Sequence, residues 1–455
     1  MDKREFLKSS GAILAGSIAS RLASGQPGSK THAQQPAPHE NWAGNIHYST
    51  DHVHTPANVE EVREVVKKCA KLRALGSRHS FNRIADSNQN QVSLDRLSGI
   101  EIDEKARTVT VGAGVRYGQL APVIDAKGFA LHNLASLPHI SVAGAIATAT
   151  HGSGIHNGNL ATVVRALELV TANGDVVHLS RDKDGDQFLA TVVGLGAAGV
   201  VSRVTLDLQP TFQVAQTVYQ DLSFSELEHN FDGIFGAGYS VSLFTDWQKH
   251  RATQVWIKRR LAAGETHNSP ELFYNAKRAT EKLHPITGHP AESCTEQMGT
   301  PGPWYQRLPH FKMEFTPSSG RELQTEYFVP REHGYEAILV VEKLKDKITP
   351  HLFVTELRTI AADNLWMSTA YQRDSLAIHF TWKPEWGAVK QILPQIEEQL
   401  KPFNPRPHWA KLFTIPPAQL QGQYARLSDF KAFVKQHDPE GKFRNEFVET
   451  NLYKS

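Results

Sequence analysis

The run Ser136-Leu137-Pro138-His139-Ile140-Ser141-Val142-Ala143-Gly144-Ala145-Ile146-Ala147-Thr148-Ala149-Thr150-His151-Gly152-Ser153-Gly154 holds no lysine, arginine or carboxylate and very little bulk. It has little to pack a core with. Small and hydroxyl residues let backbone N–H groups come within bonding distance of a pyrophosphate, and glycines permit the positive-φ turns that aim several N–H groups at one anion. The stretch reads as a phosphate cradle. A buried small-residue helix or a glycine-rich loop is the plainer alternative, and no charge pattern chooses between them.

A second stretch narrows the choice. Leu75-Gly76-Ser77-Arg78-His79-Ser80-Phe81-Asn82 follows the segment ending Lys71-Leu72-Arg73, so a strand is expected to run into a tight turn bearing one arginine and one histidine. Two glycine patterns invite a Rossmann reading. Gly112-Ala113-Gly114-Val115-Arg116-Tyr117-Gly118 has its third glycine one residue late. Gly194-Leu195-Gly196-Ala197-Ala198-Gly199 fits the dinucleotide fingerprint, but that motif works only where a helix comes next, because the helix N-terminus holds the pyrophosphate. The next residues, Val200-Val201-Ser202-Arg203-Val204-Thr205-Leu206-Asp207-Leu208, alternate like a strand, which rejects the Rossmann site.

Taken together, the cradle and the Arg78-His79 turn resemble the vanillyl-alcohol oxidase superfamily of FAD enzymes, the PCMH type, and most closely its alditol oxidase and aldonolactone oxidase branch. The likeness covers nearly the whole chain beyond its N-terminal segment. It implies an FAD cofactor contacted by Gly76, Ser77, Arg78, His79, Ser80, Ser136, Ser141, Gly144, Thr148, Ala149, Thr150, His151, Gly199, Val200 and His408. Arg78 and Ser80 would line the pyrophosphate, while Gly199 and Val200 would offer backbone to the nucleotide half. His79 matches the histidine that the family bonds to the flavin's 8α-methyl; a turn histidine bonded to backbone is the alternative. Neither Cys69 nor Cys294 lies in the cradle, so no cysteinyl flavin bond is implied.

With 455 residues the chain exceeds one ordinary core, and two domains of about 200 residues each are expected. A net charge of +2 leaves no nucleic-acid footprint. Two cysteines exclude a disulfide framework and a Cys-based zinc pattern, though one bridge stays open. His132, His139, His151 and His156 match no closed zinc site in their spacing, so no metal is expected. Lys3-Arg4-Glu5-Phe6-Leu7-Lys8 and the small apolar run at 11–20 read as an export signal, too short to span a bilayer. The signal is similar to the twin-arginine type with Lys3 replacing the first arginine, which implies a periplasmic or extracellular protein; a disordered tail on a cytoplasmic protein is the alternative. The expected layout is signal 1–25, linker 26–41, FAD-binding domain 42–212, substrate (cap) domain 213–425, and a return to the FAD domain over 426–455 around Asp438-Pro439-Glu440-Gly441.

The periodicities predict an α+β fold. Residues 59–71 form a helix with Val62, Val65, Val66 and Ala70 on one stripe and Asn58 as its cap, 92–94 and 108–112 are strands, and 117–127 is a helix. Beyond Pro210 come longer strands at 240–245, 253–258, 311–315, 325–329, 351–360 and 375–382, with helices at 332–345 and 386–400 and a loop-rich excursion at 263–308. This reads as a large antiparallel sheet flanked by helices.

Strand alternation places Glu356 and Arg358 on one face. In the next strand Ser375, Ala377, His379 and Thr381 share one face, and Leu376, Ile378, Phe380 and Trp382 the other. The polar row faces either a wet cleft or plain solvent. The resemblance favours the cleft, because Glu356, Arg358, His379, Thr381 and Lys411 fall on alditol oxidase substrate-site positions, Ser136 is the matching contact at the flavin, and His408 touches the flavin. A carboxylate accepts from two hydroxyls while arginine and lysine donate to others, which suits a neutral polyol and disfavours acids such as lactate. The activity implied is oxidation of the terminal CH2OH of a sugar alcohol such as xylitol or sorbitol, by hydride transfer to flavin N5 and reduction of dioxygen to hydrogen peroxide. His379 is the base candidate, since its ordinary pKa lies near neutrality, with Arg358 and Lys411 stabilising the alkoxide. Ala135 leaves oxygen access open. An aldonolactone oxidase or dehydrogenase of the D-arabinono-1,4-lactone or L-gulonolactone type is the near alternative, and a flavin-free polyol-binding protein the remote one. No protein partner is inferable.

Overall fold

Asn58 opens the first helix, Val59–Lys68, by accepting from Glu61 N at 3.0 Å. Val62 and Val66 are fully buried, and the helix stops short of residue 71 because the chain must extend into the strand Arg73–Leu75. These elements and those below belong to a computed structural model, which describes residues 39–454 apart from 263, 264, 266 and 267. The export-signal reading of 1–25 and most of the 26–41 linker lie outside the described residues.

Arg73–Leu75 pairs in parallel with Gln91–Ser93, which pairs in parallel with Val53–His54. Beside this small sheet stands an antiparallel one of five strands, in the order Ile100–Asp103, Thr108–Gly112, Val200–Asp207, Val164–Val170, Val176–Ser180. Val200–Asp207 buries every second residue, so the glycine-rich run before it leads into a strand and not into a helix.

The rest of the chain is dominated by a ten-stranded sheet. Its middle runs Ser240–Thr245, Leu352–Ile360, Ser375–Trp382, Leu323–Pro330, each antiparallel to its neighbour. Leu376, Ile378, Phe380 and Trp382 are fully buried in one core with Ile338 and Val341 of the helix Gly334–Glu342 and Leu393 and Ile396 of the helix Trp386–Leu400. Each large apolar side chain so buried contributes about 1.5–3 kcal/mol. The helices thus cover one face of the sheet and leave the other for chemistry.

Some expected elements fall out differently. Residues 311–315 are not a strand: Phe311 makes a single bridge to Cys294, and its N–H donates to Ser136 O at 3.1 Å. The helix expected over 332–345 ends at Glu342 and resumes as a short turn, Lys345–Ile348. Gln213–Ser223, read as no element, is an eleven-residue strand paired with Arg251–Leu261. Cys69 and Cys294 are both buried and free, so the one bridge left open does not form. Among the described residues no helix is long and apolar enough to cross a membrane.

The C-terminal segment packs onto the first strands. Asp438 accepts from the N–H groups of Lys442 and Phe443 at 2.7 and 2.8 Å, and Leu72 N donates to Lys442 O at 3.1 Å. Buried Arg73 completes the junction by donating to four carbonyls: Ile84, Leu195, Gly196 and Phe443.

Candidate active site

Both parts of the fold face one cavity of about 1820 Å³, part of it open to solvent. Gly76, Ser77, Gly144, Thr148, Thr150, Gly196 and Gly199 line one end. Here the cradle and its plainer alternative meet, since residues Val142–Ala147 form a one-and-a-half-turn helix and the chain beyond it turns. Ser77 and Ser141 clamp the two stretches together: Ser141 N donates to Ser77 Oγ at 3.1 Å and Ser77 N to Ser141 Oγ at 3.4 Å.

Three expected cofactor contacts do not line the cavity. Ser141 is occupied by its bonds to Ser77. Ala149 takes a positive-φ turn (55°) that buries its methyl in the core. The Val200 side chain lies on the core phase of its strand and that of Val201 on the cavity phase, which concerns the side chain and not the backbone approach expected at Val200. Arg78 (φ 61°), His79, Ser80, Ser136, His151 and His408 all line the cavity.

The residues present fit an FAD. A Cβ on Gly76 would lie 2.7 Å from Ser141 Oγ, and one on Gly199 2.5 Å from Val170 O, so packing within the protein holds both positions to glycine, and both line the cavity with backbone alone. His79 Nε2 is buried and has no hydrogen-bond partner. Burial, then His139 and Lys411, pull its imidazolium down to about 3, so the ring is neutral. An unsatisfied buried nitrogen is costly, and here it stands between the cradle and the ionisable end of the cavity, against Trp42 at 4.4 Å between ring centroids.

That other end is a row written across three strands. Register places Glu326 opposite His379 and His379 opposite Glu356, and Gln324 opposite Thr381. Glu326 is the hub. Its Oε1 accepts from Arg358 Nη2 at 2.8 Å and lies 3.1 Å from His151 Nε2; its Oε2 accepts from Lys411 Nζ at 2.6 Å. Burial pushes the Glu326 carboxyl up, but Lys411, His151 and Arg358 together hold it well below the usual range. Arg358 Nη1 also donates to Ser136 Oγ at 3.1 Å, which ties the strand Leu352–Ile360 to the edge of the cradle.

Lys411 Nζ lies 2.6 Å from His379 Nδ1, and His379 Nε2 lies 3.1 Å from Thr381 Oγ1. Burial, then Lys411, bring the His379 imidazolium down to about 4. His379 is therefore not the free, near-neutral base its residue type suggests but half of a coupled pair. Glu356 Oε1 accepts from His310 Nε2 at 2.7 Å, and Arg358 and His310 keep its carboxyl low against the opposing effect of burial. His408 Nδ1 accepts from Ala410 N at 3.1 Å, which leaves the proton on Nε2. On the same strand as His379, Ser375 and Ala377 do not reach the cavity; Ser375 Oγ donates to Arg373 O, and Ala377 packs with Phe328 and Ile360.

Glu326 and His310 went unread in the sequence. Alternation within 325–329 put Glu326 opposite Thr325 and Tyr327, a signal that one carboxylate points away from the apolar side, but its partners come from strand pairing. His310 sits in an irregular stretch with no periodicity to aim it.

Residues 50–180 match the model of an FAD binding domain, and residues 315–451 match that of D-arabinono-1,4-lactone oxidase. The chain is 48% identical to an alditol oxidase of a Streptomyces species over 413 residues, 90% of this chain and 97% of the relative. It is 29% identical to an L-gulono-1,4-lactone dehydrogenase of Mycobacterium tuberculosis, with 90% and 97% covered, and 27% identical to L-gulonolactone oxidase of Mus musculus, with 91% and 98% covered. The crystal structure of cholesterol oxidase from B. sterolicum superposes with a TM-score of 0.72 at 15% identity, over 91% of this chain and 96% of that one, and so shares the fold. The chain belongs to the FAD-linked oxidases and, among them, to the alditol oxidase branch, with the aldonolactone oxidases as more distant relatives.

Proposed function

We propose that the protein is an FAD-dependent oxidase that converts the terminal CH2OH of alditols such as xylitol and sorbitol to the aldehyde, with dioxygen reduced to hydrogen peroxide. The observation that carries this reading is the buried row of Glu356, Arg358, His379 and Lys411 facing the same cavity as the bare-backbone cradle. Bound there, FAD would accept a hydride from the alcohol carbon and hand the electrons to dioxygen. His79, neutral and with an orphaned nitrogen, is the residue we assign to a covalent bond with the flavin's 8α-methyl, and Gly76, Ser77, Arg78, Ser80, Gly144, Thr148, Thr150 and Gly199 to its phosphates and nucleotide half.

Glu356 accepts from substrate hydroxyls, Arg358 and Ser136 bind the reacting end, and Thr381 orients it. Each bond to a charged group contributes about 1.5–3 kcal/mol. Proton uptake belongs to the Lys411–His379 pair. With Lys411 an ammonium donating to His379 Nδ1, the imidazole proton sits on Nε2 and the pair is full. Once Lys411 is neutral, Nδ1 carries the proton and Nε2 is open to take one from the hydroxyl. Burial lowers the lysine's pKa and so makes that state accessible. The pair comes to rest in the full state, and Arg358 balances charge at the alkoxide.

Anaerobic flavin bleaching by xylitol, sorbitol and an aldonolactone, followed by a peroxide assay in air, tests the reading. Bleaching by the polyols ahead of the lactone supports it; bleaching by the lactone alone transfers the protein to lactone oxidation. We also propose that residues 1–25 direct export, so a reporter fused behind them should leave the cytoplasm and should stay inside when Arg4 is replaced by glutamine.

A further inference from the structure

Lys258 lies on the strand Arg251–Leu261, only 1% exposed. Its ammonium reaches the carbonyl oxygens of Leu308 and Pro309 and lies 3.0 Å from His310 Nδ1. Burial pulls it down to about 7, with Glu356 opposing and Arg358 adding to the fall. A methionine would fill the same space without that desolvation cost. No proton or hydroxyl of the reaction assigned above needs Lys258.

Its effect is on the next residue. The Glu356 carboxylate only accepts, so the His310 ring proton lies on Nε2, which donates to Glu356 Oε1 at 2.7 Å, and Nδ1 accepts from Lys258 Nζ at 3.0 Å. The ring has no freedom to turn. His310 N donates to Ser136 O at 2.8 Å, and the imidazole stands edge-on to Trp256 and Phe244, at 5.1 and 5.5 Å between centroids. Arg358, Cys294, His284 and His379 are the other ionisable groups that face this chain of contacts, and none of them is a hydrogen-bond partner of Lys258, whose Nζ is taken up by the Leu308 and Pro309 carbonyls and His310 Nδ1.

We propose that Lys258 is a positioning residue for substrate binding: through His310 it holds the Glu356 carboxylate in one orientation, with Oε1 engaged and Oε2 left for the hydroxyls of an alditol. This rests on the alditol reading. It assigns the polyol-binding strength of the site partly to a lysine that never meets the polyol.

The test uses the flavin-loaded enzyme and anaerobic bleaching by xylitol, recording the half-saturating concentration and the limiting rate. Lys258→Met should raise the half-saturating concentration about tenfold, the effect of one hydrogen bond to a charged group, and lower the limiting rate by less. Lys258→Gln, which keeps an N–H for His310, should recover most of the loss. His310→Leu should match Lys258→Met, and the double variant should be no worse than His310→Leu alone, because the two act in series. If Lys258→Met does not hold flavin, Lys258→Leu, which also lacks a donor for His310, takes its place, and if His310→Leu does not, His310→Phe does. Unchanged half-saturation in Lys258→Met, equal losses in the methionine and glutamine variants, or additive losses in the double variant overturn the relay while wild-type bleaching by xylitol keeps the alditol reading. Wild-type flavin that xylitol does not bleach overturns both.

Discussion

Replacing Glu326 with glutamine changes one oxygen to an NH2 group and removes the only carboxylate that Lys411 touches at hydrogen-bond distance among the described residues. Either amide orientation fails. With the NH2 toward Arg358, donors face donors at 2.8 Å; turned the other way, the NH2 meets the Lys411 ammonium at 2.6 Å. Breaking a buried ion pair in this manner costs about 3–5 kcal/mol, so the variant should melt at a lower temperature. The sharper readout is pH. Burial lowers the Lys411 pKa and Glu326 is the chief group raising it back. Loss of an opposite charge at that range moves a pKa by about 1–3 units, here downward. If the Lys411–His379 pair must shed a proton before it can take one from the substrate, flavin bleaching rises with pH through the titration of Lys411, and Glu326→Gln shifts that rise to lower pH by about 1–3 units. Stopped-flow bleaching by xylitol across pH 5 to about 10 measures it. A rise that stays in place, or moves to higher pH, refutes the assignment of the base to this pair.

His79→Ala should release the flavin into the supernatant on acid precipitation, whereas colour that stays with the pellet would put the attachment elsewhere. Gly199→Ala drives a methyl to within 2.5 Å of the Val170 carbonyl, so the purified protein should hold less than half its flavin; full occupancy by absorbance would contradict the close approach at the nucleotide end. His284, His310 and His379 have imidazolium pKa values lowered to about 4, each first by burial. They are neutral in the fold and take up protons on unfolding below about pH 6.5, so stability falls as pH drops from there toward 4, by up to about 1.4 kcal/mol per unit for each group. A melting temperature that holds steady from pH 7 to 5 would show that these rings are protonated in the native state.

The sequence carried the parts of the fold that depend on local periodicity. The strands Ser240–Thr245 and Ser375–Trp382 and the helix Trp386–Leu400 fall where alternation and a long amphipathic run put them. What it did not carry was contact set by pairing. Glu326 meets His379 because Leu323–Pro330 and Ser375–Trp382 pair in one register, and a slip of one residue would turn Glu326 to the helix side. Lys258 on a strand reads as a solvent-facing lysine until its neighbours bury it. Val200 and Val201 differ only in phase, and that phase is decided by how the chain leaves Gly199. Residues 311–315 alternate like a strand, but their N–H groups go to the carbonyls of Ser136, Ser293 and Lys312, and the pairing stops at the one bridge between Phe311 and Cys294.

Arg73 draws together carbonyls that lie 11, 122, 123 and 370 positions further along the polypeptide. Synthesis runs from the N-terminus, so for most of translation this cation has no Phe443 carbonyl to meet, and the wall made by Leu195 and Gly196 hangs on an unfinished knot. A chain stopped before residue 443 leaves Arg73 three of its four carbonyl partners, so such a product is expected to bind less flavin than the full-length protein when the two are compared by absorbance.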